Sequence, residues 1–386
     1  MSTRHIASVL LLGGLLGGSV ATRSAPTQLV PSSRPPRQIQ VDTTPWLRIP
    51  IAPLAEWPHR GLVTPDHGIL LIIDNGRGMI AFDATGAERW SQRITPAGGG
   101  AFEWYSDLLR GPDGSALLWD ALRDRLTTLN DAGQPRSAFR STPLPRIKLP
   151  SGGRSPQPLM LHGRLTTGEL VASNRADRSA EAFIRHDSIG MYRIDSRGRT
   201  APIGRVLQRV RFSRGEPYLV QGTVPFGRTG RIAVTGTSWY YTDGSAFTIE
   251  RRDARGALTG RFGAAHARRP VDGDAVRRSR LDMLAAVDSI LKGSLVRALA
   301  AMPYPDSMPA YTDLLADAAG VVWAEVGAPA WEPHTWDLFA PRGTPLGEVT
   351  LPAYVRVLDI SHDALLAVHE VPGGATTLQL HRVGRQ

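Results

Sequence analysis

The chain of 386 residues is long enough for two ordinary domains or for one large repeat fold. It contains no cysteine, which excludes disulfides, thiolate metal sites, a cysteine nucleophile and a lipid anchor on cysteine. The formal charge of +10 comes from scattered arginines with no interleaved stacking aromatics, so we predict no specific nucleic-acid partner. The 40 glycines and 30 prolines indicate many turns and favour an all-β fold.

The N-terminus has the composition of an export signal. Arg4 and His5 precede an uncharged run at positions 6–20. Ser19 and Ala21 then supply the small residues at positions −3 and −1 of a cleavage site after Ala21. We predict a signal peptide over residues 1–21 and export to the periplasm or the cell exterior. The run is shorter than the roughly 20 residues that a spanning helix needs, and an uncleaved N-terminal anchor is the alternative.

The segment that follows the signal is rich in proline, serine and arginine. We predict a disordered leader over residues 22–38 and one ordered domain over residues 39–386. No later stretch is apolar for long enough to span a membrane, so the processed chain is predicted to have no transmembrane span.

Two stretches of the chain are nearly alike: LLIIDNGRGMIAFDATG at 70–86 and LLWDALRDRLTTLNDAG at 117–133. Each reads as strand, polar turn, strand, polar turn, because aspartate or asparagine followed by glycine supplies the positive φ of a hairpin turn. The same turn returns at 194–198 and 252–256, a weaker copy lies at 339–343, and a degenerate sixth unit runs from 362 to 374. One four-stranded meander cannot bury both of its apolar faces alone, so about six such units predict a six-bladed β-propeller.

The two ends of the chain are predicted to meet in the last blade. The sixth unit is one strand short of four, whereas the extended segment at 39–50 precedes the first unit and has no blade of its own. We predict that this segment supplies the outer strand of the last blade and closes the ring, which leaves only short edges exposed.

One segment, at about 271–302, lacks strand alternation. Apolar residues recur there at helical spacing, at Leu284, Val287, Leu291, Leu295, Ala298 and Met302. With Gly293 as the break, we predict helices at about 273–291 and 294–302, inserted between blades 4 and 5. The insertion either covers one face of the ring or serves as a lid or partner-binding element.

The second copy of the repeat resembles the NHL-type six-bladed propeller repeat. Asp120 ends its second strand, Arg125 and Leu126 open its third, Leu129 takes the apolar position, and Gly133 closes the turn. The asparagine that this family places before the arginine is absent, since Asp124 stands there. The chain also resembles exported, uncharacterised bacterial six-bladed propellers with a helical insertion before the fifth blade. The resemblance implies a fold but no activity, because propellers carry many functions.

Motifs of common active sites are missing from the sequence, which has no G-x-S-x-G elbow, no Walker loop and no H-E-x-x-H. A propeller site is expected at the mouth of the central channel. The candidates there are polar residues just before the turn that leads into each second strand: His59, Arg60, Glu103, Asp107, His162, Asp313 and Arg356. Converging carboxylates and histidines can bind a divalent cation, as in propeller lactonases, which resemble this chain only in fold.

A second interpretation of the channel mouth is a hydrated channel of mutually paired charges. Asp107 and Asp313 would then accept turn or backbone hydrogen bonds. Several aromatic residues are candidates either for a ligand platform or for packing between blades. They are Trp104, Tyr105, Trp239, Tyr240, Trp331 and Trp336.

The functional prediction is a monomeric, exported, non-catalytic binding or scaffolding module. Its ligand would be a protein, peptide or glycan on one face of the ring. No catalytic residue and no cofactor are predicted. The alternative is a metal-dependent hydrolase or lactonase that holds a divalent cation at the channel mouth. The arginine excess indicates either an anion-binding surface or a genome that encodes arginine in place of lysine.

Overall fold

The computed structural model describes residues 39–51, 58, 60–93, 105–144, 147–148, 154–155, 158–174, 183–214, 220–285, 287, 289–371 and 375–385. The predicted signal peptide and leader lie outside these residues, as do His59, Glu103 and Trp104. None of the helices in the described ranges is long and apolar enough to cross a membrane.

The chain is mostly β, and its strands follow one another as successive antiparallel meanders. The N-terminal segment forms β1 (Ile39–Val41) and β2 (Leu47–Pro50). Sheet 1 has β3 (Arg60–Val63), β4 (Ile69–Ile73), β5 (Gly78–Phe82) and β6 (Glu88–Arg93). Sheet 2 has β7 (Tyr105–Arg110), β8 (Ala116–Asp120), β9 (Arg125–Leu129) and β10 (Pro135–Arg140), followed by a ribbon of β11 (Ile147–Lys148) and β12 (Arg154–Ser155).

The middle of the chain adds two sheets and the helices. Sheet 3 has β13 (Leu159–Arg164), β14 (Leu170–Asn174), β15 (Ile184–Ile194), β16 (Thr200–Arg214) and β17 (Val220–Thr223). Sheet 4 has β18 (Arg231–Thr235), β19 (Ser238–Thr242), β20 (Ile249–Asp253) and β21 (Leu258–Phe262). Two helices follow it, α1 (Gly273–Ala285) and α2 (Ser289–Ala300).

The C-terminal part forms the last two sheets. Sheet 5 has β22 (Tyr311–Ala316), β23 (Val322–Val326), β24 (His334–Phe339) and β25 (Pro345–Leu351). Sheet 6 has β26 (Val355–Ile360), β27 (Ala364–His369) and β28 (Thr377–Arg385). The N-terminal segment joins sheet 6 because both β1 and β2 pair with β28, with Ile49 opposite Leu378 and Ile39 opposite Arg385.

Apolar clusters join each sheet to the next. Strand β4 illustrates the arrangement, since all five of its residues are buried. Ile69 and Leu71 pack in a cluster with sheet 6, whereas Leu70 and Ile72 pack in a cluster with sheet 2. This is the two-residue alternation of a strand whose sheet is covered on both faces. Equivalent clusters join sheets 2 and 3, 3 and 4, 4 and 5, and 5 and 6.

The first strands of the six sheets surround one cavity of about 550 Å³. Each of β3, β7, β13, β18, β22 and β26 contributes to its wall. Four of these strands carry an irregularity in register, for example between Tyr105 and Asp107 in β7 and between Tyr311 and Asp313 in β22. A bulge of this kind re-aims the side chain beside it, which places polar groups at one end of the cavity.

The helices lie between sheets 4 and 5 in sequence, and α2 packs on the long strand β16. Leu295, Ala298 and Leu299 of α2 share a cluster with Val210 and Phe212. The predicted break at Gly293 was wrong, because α1 ends at Ala285 and α2 continues through Gly293. A single exposed glycine costs a helix about 1 kcal/mol, which the packing of α2 offsets.

We expect Ile49→Ala to destabilise the chain by about 2–5 kcal/mol, because Ile49 is buried between β28 and sheet 1. Urea unfolding measures the change. Arg48→Ala, at an exposed neighbouring position of the same strand, is the control and should shift stability by less than about 0.5 kcal/mol. Equal effects of the two variants would contradict a role for β2 in closing the structure.

Candidate functional site

The described members of the predicted channel-mouth set are Arg60, His162, Asp313 and Arg356, together with Asp107. All lie on first strands, at the end of the cavity where those strands begin. Arg60 is the common neighbour of several of them. Its Nε is 3.3 Å from Asp107 Oδ1, and its charge acts on the pKa of both His162 and Asp313.

Asp107 is almost completely buried and serves to tie two sheets together. Its Oδ2 accepts the backbone N–H of Leu161, on the first strand of the next sheet, at 2.9 Å. The Ser106 hydroxyl donates to the same oxygen at 3.2 Å. Burial raises the pKa of Asp107, although the charge of Arg60 and the Leu161 N–H act in the opposite direction.

Asp359 repeats this arrangement between sheets 6 and 1. Its Oδ2 accepts the backbone N–H of Val63 at 2.8 Å and pairs with Arg110 at 2.6 Å. Arg110 also donates to the Val63 carbonyl at 2.7 Å. Sequence reasoning missed Asp359 and Arg110. Asp107, Asp313 and Asp359 each follow the register irregularity of a first strand, but Asp359 lies near the end of β26, so its sequence VRVLDI does not repeat the pattern of YSDLLR and YTDLLA.

Asp313, the aspartate of YTDLLA on β22, has a different environment from Asp107 and Asp359. It accepts the N–H of the following residue, Leu314, at 2.9 Å, and Arg231 Nε lies 3.7 Å away. Burial raises the pKa of Asp313, and the charge of Glu325, its direct neighbour across β22 and β23, raises it further. Glu325 in turn accepts the Thr312 hydroxyl at 2.6 Å.

His162 and Arg356 lie on β13 and β26. His162 Nε2 is 2.8 Å from the Ser173 hydroxyl, and burial together with the charge of Arg60 lowers the pKa of His162 from 6.5 to about 3. The imidazole is therefore neutral at physiological pH. Arg356 donates to the Pro58 carbonyl at 2.9 Å and pairs with Glu370 at 3.3 Å.

Asp107, Asp313 and Asp359 thus each accept a backbone N–H and each lie within 3.7 Å of an arginine nitrogen. A cation that entered between these three carboxylates would have to displace their guanidinium groups. His59 and Glu103 lie outside the described residues, so the predicted cation site at the mouth stays a prediction.

A second polar cluster lies away from the channel and was not predicted. His266, in the connection between β21 and α1, meets Asp337 of β24 and Glu348 of β25. In the described ranges this is the one group of three histidine or acidic residues whose ligand atoms all lie within 4.8 Å of one another. Its members are 71 and 11 residues apart, and no motif in the sequence marks them.

An open cleft of about 470 Å³ lies beside α1. The guanidinium carbon of Arg278 stands 4.5 Å from the centre of the Trp331 ring, and Arg278 donates to the Tyr354 hydroxyl at 2.7 Å. The backbone of Tyr354 has φ +62°, which residues other than glycine rarely adopt. Trp331 lines this cleft, whereas Trp239 and Trp336 are buried within the apolar clusters between sheets.

Comparison with known proteins indicates the fold. No protein-family model and no curated protein matches the sequence. A solved member of the DUF4221 family from Bacteroides vulgatus is similar over 92% of this chain and 100% of its own, with 9% identity and a TM-score of 0.51. The fold is of the β-propeller type. At this identity the likeness concerns the fold alone.

Two further solved structures are similar at lower TM-scores. A luciferin-regenerating enzyme is 11% identical, with coverage of 88% of this chain and 96% of its own and a TM-score of 0.45. A gluconolactonase from Xanthomonas campestris is 14% identical, with coverage of 90% and 99% and a TM-score of 0.39. Likenesses of this strength carry no argument about activity.

The pKa of His162 predicts how stability depends on pH. Between pH 6.5 and about 3 the unfolded chain binds a proton at this histidine and the folded chain does not, so stability falls as pH falls through that window. His162→Gln removes the effect. We expect the stability of the native chain relative to this variant to decrease from pH 7 to pH 4 in urea unfolding.

The matched control is His362→Gln, which changes an exposed histidine on a turn. The unfolding free energies of this variant are the reference for the loss of one surface histidine, against which the pH dependence of His162→Gln is compared. Parallel curves for His162→Gln and the native chain would contradict a lowered pKa of His162 in the folded chain.

Proposed function

We propose that residues 39–386 form a six-bladed propeller of the NHL-like type, exported as a monomer, that binds a peptide segment of a partner protein without catalysis. The six sheets, the apolar cluster between each neighbouring pair and the cavity shared by the six first strands support the six blades. The pairing of β1 and β2 with β28 supports closure of the ring by its two ends. The helices are then an insertion between blades 4 and 5.

The charges at the channel mouth favour binding over catalysis there. Asp107 and Asp359 each accept an N–H from the next first strand and each pair with an arginine. These contacts use the carboxylates to hold neighbouring blades together. A metal-dependent hydrolase or lactonase needs such oxygens free to coordinate the ion and its water.

The observation that carries the proposal is the orientation of Arg278 in its cleft. Its guanidinium is stacked on Trp331 and anchored by one hydrogen bond to Tyr354, and it forms no ion pair with a carboxylate in the described structure. The neighbouring cations differ, since Arg277 pairs with Asp274 and Arg269 pairs with Glu332. A guanidinium that lies over an aromatic ring and uses one N–H group in the described structure is suited to bidentate recognition of a carboxylate.

Apolar side chains beside the cleft favour a peptide ligand over a free acid. Leu281, one turn along α1 from Arg278, is 61% exposed and lines the same cleft. Ile290 and Val296 of α2 are exposed as well. An acidic residue or a C-terminal carboxylate next to an apolar side chain would match this pairing of arginine and leucine. The strained backbone of Tyr354 is consistent with a binding role, because such conformations concentrate at ligand sites.

The test is selection from a peptide library displayed on phage, followed by affinity measurement with synthetic peptides. We expect selected peptides to carry an acidic group beside an apolar residue. Arg278→Ala should weaken their binding at least about tenfold, since a charge-assisted hydrogen bond contributes about 1.5–3 kcal/mol. Arg278→Lys should lose part of the affinity because lysine lacks the planar guanidinium that donates two parallel hydrogen bonds.

Arg277→Ala is the control for the loss of a positive charge, since Arg277 lines the same cleft but pairs with Asp274, and it should weaken binding much less than Arg278→Ala does. Selection of no peptide, or equal binding by Arg278→Ala, would refute the proposed cleft. Binding of acidic glycans in place of peptides would show that the ligand is a glycan. Cation-dependent hydrolysis of lactones by the purified chain would favour the hydrolase alternative.

A further inference from the structure

Four side chains that can bind metal ions meet at the border between sheets 4 and 5. His266 comes from the connection that leads to α1, and Tyr311, Asp337 and Glu348 come from β22, β24 and β25. His266 Nε2 lies 2.9 Å from each of the two Asp337 oxygens. The Tyr311 hydroxyl donates to Asp337 Oδ2 at 2.8 Å.

The negative charge of this cluster is not balanced by the residues around it. Asp337 and Glu348 are direct partners across β24 and β25, and like charges in that position destabilise a sheet. Asp337 is 2% exposed, so water screens it poorly. Neither carboxylate pairs with an arginine or a lysine in the described ranges. Even a protonated imidazole at His266 would balance only one of the two charges.

Tyr311 does not reduce the negative charge of the cluster. Its phenol is a neutral hydrogen-bond donor to Asp337 Oδ2, and it adds no positive charge that offsets the carboxylates.

We propose that His266, Asp337 and Glu348 bind one divalent transition-metal ion, with Zn²⁺ the best match. A neutral imidazole and two carboxylates around a dication balance the charge completely. One nitrogen and two oxygens form the mixed donor set that zinc accepts, whereas calcium and magnesium prefer oxygen alone. Glu348 is exposed and free to swing toward the ion.

The geometry needs only a small adjustment to hold an ion. Two ligands at about 2.0–2.1 Å from a tetrahedral zinc are about 3.3 Å apart, close to the 2.9 Å between His266 Nε2 and the Asp337 oxygens. His266 also lines a cavity of about 250 Å³, which leaves room for a water molecule at the fourth position.

The ion would fix the segment that carries α1. The connection from β21 is already held by the Ala264 N–H, which donates to the Tyr311 hydroxyl at 3.2 Å, and by Phe247, whose ring centre lies 5.0 Å from that of His266. A metal bridge from His266 to β24 and β25 would add a further contact between this connection and sheet 5. This inference does not depend on the peptide cleft.

The experiment is equilibrium dialysis of the chelator-stripped chain against Zn²⁺ with metal analysis, together with thermal unfolding. We expect one Zn²⁺ per chain and an increase of Tm on addition of Zn²⁺. Glu348→Gln, an exposed and nearly isosteric change, should weaken the affinity at least about tenfold. Asp337→Asn should weaken it further. Glu332→Gln, which removes a carboxylate from the same region, should leave Zn²⁺ binding unchanged.

Absence of stoichiometric Zn²⁺ binding would overturn the proposal, as would binding that Glu348→Gln and Asp337→Asn leave intact. Displacement of Zn²⁺ by equimolar Ca²⁺ or Mg²⁺ would overturn the assignment to a transition metal. Since peptide binding is measured separately, failure of the cation site and failure of the Arg278 cleft are distinguishable.

Discussion

The whole structure depends on one constraint: each sheet buries both of its faces against neighbouring sheets. Strand β4 packs Ile69 and Leu71 toward sheet 6 and Leu70 and Ile72 toward sheet 2, so removal of either neighbour would expose a row of large aliphatic side chains. Sheets with this requirement cannot form an open row without two exposed ends, and the pairing of β2 with β28 joins the ends.

The same constraint brings charged residues together along the axis. Arg60 and Asp107 are 47 positions apart, and Arg110 and Asp359 are 249 apart, yet both pairs form because the first strands surround one cavity. A carboxylate at such a place loses its hydration and must be paired or protonated. Pairing with a guanidinium and with the N–H of the next strand satisfies it, which makes these residues contributors to the contacts between sheets.

The turns and the strands could be predicted from the sequence, because they depend on local and periodic features. Turn glycines such as Gly86 and Gly133, with φ of +86° and +73°, mark the repeat, and alternation of apolar residues marks the strands. The cluster of His266, Asp337 and Glu348 was not predictable, since it forms from three segments that the ring brings together. Likewise, nothing in the sequence distinguishes Arg278 from its neighbouring arginines. Its stacking on Trp331 and its bond to Tyr354 arise from tertiary structure.

Both the cleft that contains Arg278 and the cluster of His266, Asp337 and Glu348 adjoin the connection between β21 and β22. Positions in the sheets are constrained by packing on two sides, so a change there disturbs two interfaces at once. The helical connection has one packed face, formed by Leu295 and Leu299 of α2 against β16, and its other face is free to vary. Residues that bind a ligand can therefore arise on that face with little disturbance of the packing. His266 and Arg278 lie on this connection, and each meets residues of sheet 5 or of the loops beside it.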